Sequence, residues 1–158
     1  MTMYAATFSN VAVTAAQDLF EISAPATGIV ILHRIVISQS SDFGDAQEEG
    51  LVLALRRGAT TTGSGGTTVT PGVGAAMENM GPAFTGVVKA NSTTPATGGT
   101  PVAFHVEAWN VRGPFDYLPT PELRLILSPS QRAVLNLTAA PADALTVSGT
   151  LNFEWLGG

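Results

Sequence analysis

The residues of this chain best suited to chemistry are two histidines, His33 and His105, and two glutamates set among apolar neighbours, Glu107 and Glu154. A metal centre needs three or four convergent ligands. Two histidines without an HxH or HxxxH spacing do not supply them, so each reads as a structural or exposed side chain. Two carboxylates flanking a cleft could act as acid and base on a glycosidic bond. Glu107 and Glu154 could face each other, but on an outward sheet face they are solvated residues. The acidic segment Ser41–Gly50 carries carboxylates at Asp42, Asp45, Glu48 and Glu49. Their spacing is not that of an EF-hand loop, which sets acids at alternate positions and ends on a bidentate Glu. A solvated loop is the simpler reading. Gly63-Ser-Gly-Gly66 lacks the Gly-Lys-Ser/Thr ending of a phosphate cradle. No serine sits in a GxSxG context. Asn91-Ser-Thr and Asn136-Leu-Thr match the glycosylation sequon by chance, for no secretion signal accompanies them. No nucleophile, base and orienting group come together, so the chain is expected not to be an enzyme. It implies no catalytic residue, no metal and no cofactor.

The aromatic residues offer binding instead of catalysis. Trp109, Phe115, Tyr117 and Trp155 are the main ones in the C-terminal half. Trp155 continues an apolar face and reads as core. Trp109 alternates with Phe104 and Val106 and shares its face with His105 and Glu107. Exposed there, it would stack on a sugar or anchor a protein. The alternative is a sheet whose two faces are both partly covered in an oligomer.

The elements that must position these residues are strands. From Leu145 to Trp155 every second residue is apolar, apart from Gly149, and Thr146, Ser148, Thr150, Asn152 and Glu154 lie between. A period of two is the mark of a strand with one buried face. The same pattern predicts strands over 4–14, 18–23, 28–39, 51–57, 84–90, 102–111, 122–127, 132–137 and 145–156. Leu51, Leu53 and Leu55 share one face; so do Val102, Phe104, Val106 and Ala108, and Leu123, Leu125 and Leu127. Pro, Gly, Asp and Ser punctuate the joins, as at Ala24–Gly28, Arg112–Pro114 and Ser128–Ser130. Helical periodicity is nearly absent, with at most one turn over Ala75–Met80. About eight or nine strands at this spacing predict an all-β antiparallel sandwich of jelly-roll or Greek-key type. An immunoglobulin-like sandwich is the alternative. Residues 58–74 and 91–101 are two long Gly/Thr-rich loops. They are either floppy connections or arms that order against a neighbour.

Length and composition bound the rest. A chain of 158 residues reads as a single domain over 1–158, with 1–14 an N-terminal strand or arm. Cysteine is absent, which excludes disulfide staples and thiolate sites. Charged residues are 12% of the chain, about half the usual share. Mean hydropathy is +0.27. Either subunits cover part of the surface, or the sandwich is coated by threonine. Net charge is −5, Lys89 is the sole lysine and the six arginines are scattered. Nucleic acid needs a cationic footprint, so no direct nucleic-acid ligand is expected. The N-terminus lacks a basic and apolar signal, and the run from Gly28 to Ile37 is too short for a membrane span. No membrane association is expected, and the chain reads as made and kept in the cytosol.

Several segments together carry a family resemblance. They are Tyr4-Ala-Ala-Thr-Phe-Ser-Asn-Val-Ala-Val-Thr-Ala-Ala-Gln-Asp-Leu-Phe-Glu-Ile, the Asp-Phe-Gly-Asp-Ala-Gln-Glu-Glu loop, Trp109-Asn-Val-Arg, Pro119-Thr-Pro-Glu, and Pro141-Ala-Asp-Ala-Leu-Thr-Val-Ser-Gly-Thr-Leu-Asn-Phe-Glu. The chain resembles small virion proteins encoded beside head genes in tailed bacteriophages and prophages. The resemblance implies a jelly-roll-like subunit on the exterior of an icosahedral capsid. Such a subunit would decorate or cement the major capsid protein lattice as a homo-oligomer, often a trimer. The contact with capsid or neighbouring subunits is then expected at Tyr4, Phe8, Trp109, Phe115 and Tyr117. A tail or head–tail subunit of the same fold, or a carbohydrate-binding host-attachment module built on Trp109 and Tyr117, are the alternatives.

Overall fold

The alternation over the last strand is borne out, except that Glu154, expected to be solvated, is buried beside His33, in the computed structural model, which describes residues 2–43, 49–73 and 82–157. Strand β12 (Leu145–Leu156) buries Leu145, Val147, Leu151, Phe153 and Trp155 on one face. Gly149 lies on that face too. A Cβ there would stand 2.6 Å from the Phe8 ring and 2.9 Å from both Phe20 and Ile37. The gap in the apolar pattern is therefore filled by rings from other strands, at no loss to the core.

The remaining described strands are β1 (Thr2–Val13), β2 (Gln17–Ser23), β3 (Ile29–Gln39), β4 (Gly50–Arg57), β5 (Thr67–Val69), β6 (Gly72–Val73), β7 (Val87–Ser92), β8 (Val102–Asn110), β9 (Phe115–Tyr117), β10 (Ile126–Leu127) and β11 (Arg132–Leu137). One sheet runs β10-β3-β12-β1-β6, with β9 also paired to β3, and the other runs β5-β7-β2-β11-β4-β8. Every pairing is antiparallel.

The pairing defines a jelly roll. Consecutive strands β1–β2, β3–β4, β8–β9 and β11–β12 each divide between the two sheets. β1 and β3 both flank β12, while β2 and β4 both flank β11. β9 then adds to β3 and β8 to β4. Two-strand ribbons are thus wound round one another, and their inner faces form one core. At one end of that core Tyr4 stacks on Phe153 at 5.3 Å, and Phe84 meets Phe153 edge-on at 4.9 Å. The Tyr4 hydroxyl donates to the Pro82 carbonyl at 2.6 Å, which satisfies the one polar atom of a buried ring.

Three sequence expectations need correcting. First, the described parts of the two Gly/Thr-rich loops are structured on the chain itself. Thr61 bridges Thr97, Ser64 bridges Thr94, and β5 pairs with β7. Two buried carboxylates on β2 hold them. Glu21 accepts from Thr62 Oγ1 at 2.7 Å and from the Gly63 amide at 2.9 Å. Asp18 accepts from the Ala96 amide at 2.6 Å and from Asn136 Nδ2 at 2.7 Å. A one-residue irregularity in β2 at Leu19 lets Leu19 and Phe20 both bury while these acids reach the loops. Gly66 passes so close to β7 that a Cβ would meet the Ala90 carbonyl oxygen at 2.4 Å. Glycine here permits backbone-to-backbone packing, which composition alone reads as flexibility.

Second, β8 does not bury Val102, Phe104, Val106 and Ala108. Leu55 pairs with His105 and Arg56 with Ala103, so Phe104 is an extra residue. From His105 to Asn110 the register is regular and sets Trp109, Glu107 and His105 opposite the buried Leu51, Leu53 and Leu55, so the apolar set lies on the outward face, and all four residues are exposed. Third, the strand predicted over 122–127 is a 3-10 turn at Pro121–Leu123 followed by the two-residue β10. Leu125 and Leu127 are buried as expected, but Leu123 stands 64% exposed. The turn expected over Ala75–Met80, and Asp45 and Glu48 of the acidic loop, lie outside the described residues. No helix among the described residues is long and apolar enough to cross a membrane.

Candidate functional site

β8 and β9 are the last strands of their sheets on one flank of the sandwich, and a groove of about 410 Å³ opens beside them. Its walls are Phe104, His105 and Glu107 from β8, Asp116 and Tyr117 from β9, and Leu118, Pro119 and Leu123 from the segment that follows. The bulge at Phe104 puts that ring beside His105 on the groove wall. Prolines at 119 and 121 keep the following segment out of the ladder, since proline has no N–H to give. Leu118 and Leu123 are consequently left exposed.

The polar groups of the groove come in hydrogen-bonded pairs. His105 Nε2 lies 3.1 Å from Glu107 Oε2. Arg34 forks onto Asp116, with Nε at 2.8 Å from Oδ1 and NH2 at 2.6 Å from Oδ2. That fork holds the Asp116 carboxyl below the usual carboxylate range, through hydrogen bonding first. A carboxylate so held is a weak proton acceptor at neutral pH. Among the described residues, no serine, threonine or lysine lines the groove. Its chemistry is that of a binding surface: exposed apolar side chains, a paired acid on each wall, and the Tyr117 ring 5.0 Å from the His105 ring.

A second groove, of about 280 Å³, lies on the other side of Leu118. It crosses the outer face of the first sheet, between Met3, Tyr4 and Ala5 of β1, His33 and Arg34 of β3, Asn152 of β12, and Arg124. His33 Nε2 lies 3.0 Å from Glu154 Oε2 there. The two histidines and two glutamates picked out from sequence are therefore sorted into separate pairs on separate sheets. Glu107 and Glu154 do not face each other. Among the described residues no three potential ligands converge on a metal position.

Four of the five residues expected at an interface are core residues. Tyr4 is 2% exposed, Trp109 3%, Phe115 2% and Tyr117 5%. Trp109 Nε1 donates to the Gly113 carbonyl at 2.6 Å, closing the turn between β8 and β9. An aromatic platform on Trp109 and Tyr117 would need open ring faces, and the fold buries both. Phe8 is only partly buried and packs on Phe20 at 5.0 Å. Of the residues that do stand open beside the site, Phe104 belongs to the apolar face that β8 turns outward, while Leu118 and Leu123 flank a proline-bounded turn that interrupts the alternation.

No protein-family model matches the chain, and no curated protein matches its sequence. Among solved structures it aligns with the VP16-VP17 complex, a complex of the two major capsid proteins of bacteriophage P23-77. That alignment has 11% identity and a TM-score of 0.20, over 95% of this chain and 89% of the other. Likeness at that level gives the two chains no common fold to argue from.

Proposed function

We propose that this chain is a non-enzymatic structural subunit of a phage virion. It decorates or cements the icosahedral capsid from outside by binding the major capsid protein lattice as an oligomer. The observation that carries this is the open apolar flank. Val102 is 55% exposed, Val106 56% and Leu118 65%, beside Phe104 and Leu123, in a chain only 12% charged. Contiguous exposed apolar surface of this kind marks a protein contact. The resemblance of the chain to small virion proteins names the kind of partner.

On this reading the contact is carried by Phe104, Leu118 and Leu123, with Phe8 a lesser contributor. Each contact is small. A repeating shell presents many such sites at once, and an oligomer spanning several of them is retained far more strongly than one subunit. The test is the mass of the purified protein by light scattering, repeated after mixing with undecorated capsids and pelleting. A discrete oligomer, with a trimer expected, that co-pellets to saturation supports the reading. A monomer that stays in the supernatant overturns it.

A further inference from the structure

We propose that the smaller groove is a carboxylate-binding site, with Arg124 as its anchor. The inference does not depend on the capsid reading, because it concerns a ligand group and can be tested on the protein alone. Two independent observations meet here. One is the groove itself, about 280 Å³ in volume and walled on its apolar side by Met3, Ala5 and Leu118. The other is the state of its cations. Arg34 is committed to Asp116 through two hydrogen bonds, and His33 is committed to Glu154. Arg124 has no such commitment. Its Nε is enclosed and finds no acceptor among the described residues, and none of them forms an ion pair with it.

An enclosed donor without an acceptor is destabilising, the more so when charged. A guanidinium is a rigid fork of donors that matches a planar carboxylate through two parallel bonds. Arg124 brings to the groove a guanidinium that no carboxylate among the described residues pairs. The wall beside it is apolar. The ligand with that combination is a monoanionic carboxylate on a short apolar stem, such as an aliphatic acid. Inorganic phosphate, which has no apolar stem and is hydrated on every side, fits this wall worse. Asn152, which also lines the groove, offers the amide that would fix the orientation of the bound group.

The test is titration of the full chain with butyrate, followed by nitrogen–proton NMR at the Arg124 Nε–H and at the Met3, Ala5 and Asn152 amides. Butyramide and inorganic phosphate serve as comparison probes. The expected result is a saturable shift at these positions with butyrate and none with butyramide. Binding should weaken by about tenfold or more in Arg124→Gln, the loss of a charge-assisted fork, with the other amides unmoved. Arg124→Lys should fall between, since it keeps the charge and loses the fork. Should Arg124→Gln fail to fold, the wild-type Arg124 Nε–H decides alone. Equal shifts from butyrate and butyramide, or unchanged binding in Arg124→Gln, would overturn the site. Phosphate binding as tight as butyrate would overturn the choice of a carboxylate.

Discussion

Arg132 Nε lies 2.7 Å from Oε1 of Glu21, a side chain only 2% exposed. The two residues sit diagonally across the β2–β11 ladder, where Arg132 pairs with Ser23 and Val134 with Glu21. Glu21 also receives Thr62 Oγ1 and the Gly63 amide, and the lone lysine, Lys89, donates to the Gly63 carbonyl at 2.9 Å. One buried carboxylate thus ties a glycine-rich loop to the sheet. Removing it strands a mostly buried guanidinium and frees the loop together. Glu21→Ala is expected to cost about 3 kcal/mol in urea unfolding, as breaking a buried pair does. The Gly63 amide should lose its hydrogen-exchange protection. Full protection of that amide in the variant would show that the loop is held by other means.

Asp18, three residues earlier on β2, gives a pH signature. Burial raises its carboxyl above the ordinary value of 3.8, against the pull of the Ala96 and Asn136 hydrogen bonds. A folded pKa above the unfolded one means that the native state binds more protons in the window between them. The contribution of Asp18 to stability is therefore present below the unfolded value and is lost as pH rises through the folded value. Comparison with Asp18→Asn isolates it. The stability of the natural protein relative to this variant should rise as pH falls from 7 into that window. Asp116 behaves oppositely, since Arg34 lowers its pKa. Its contribution is lost only at pH below the ordinary carboxylate range, so the two do not overlap. A difference between the natural protein and Asp18→Asn that stays flat with pH would contradict the assignment.

Gly149 tests the packing of the core. The Phe8 and Phe20 rings, 5.0 Å apart, stand over it and leave no room for a side chain. Gly149→Val should destabilise by about 1–3 kcal/mol, the usual cost of overpacking. The loss should shrink in the double variant Gly149→Val with Phe8→Ala, because the ring it collides with is gone. Strictly additive losses, measured by thermal or urea unfolding, would place the strain elsewhere.

Tyr117 tests the opposite condition, a polar atom without a partner. Its hydroxyl is enclosed at the groove floor, makes no hydrogen bond among the described residues, and has its pKa raised by burial. Replacing an unsatisfied buried hydroxyl with hydrogen removes a desolvation penalty. Tyr117→Phe is expected to leave stability unchanged or to raise it by about 1 kcal/mol. A loss of more than that would reveal a hydrogen bond made by the protein in solution.

The legibility of this chain in its sequence follows the strength of alternation. β12 was readable because Leu145 to Trp155 alternate over a long run, whereas β11 (Arg132–Leu137) is buried on both faces and shows as a short apolar run. β8 misled because the positions it turns to the core carry His105, Glu107 and Trp109, while its apolar set faces outward, and alternation alone does not say which face is covered. The loops misled because their order comes from Asp18 and Glu21, acids distant in sequence that look like solvated positions on a strand. The groove was half visible. His105, Glu107 and Tyr117 were noticed, but Asp116, Leu118 and Leu123 acquire meaning only when β9 and the proline-bounded turn fold beside β8. Arg124 was one of six scattered arginines until the fold showed which of the others were paired.

The open flank yields a prediction that separates binding from folding. Phe104 and Leu123 are exposed on opposite walls of one groove, so neither contributes much to the core. Phe104→Ser and Leu123→Ser should each change stability by no more than about 0.5 kcal/mol, the range for surface substitutions. If this flank carries the shell contact, each should nonetheless lower capsid co-pelleting. The double variant should lose about tenfold or more, because a weak contact repeated across a lattice multiplies its losses as it multiplies its gains. Substitution of Thr27, exposed in the turn between β2 and β3, is the control and should leave co-pelleting unchanged. Undiminished co-pelleting by a folded double variant would move the contact off this flank, whatever the fate of the capsid reading as a whole.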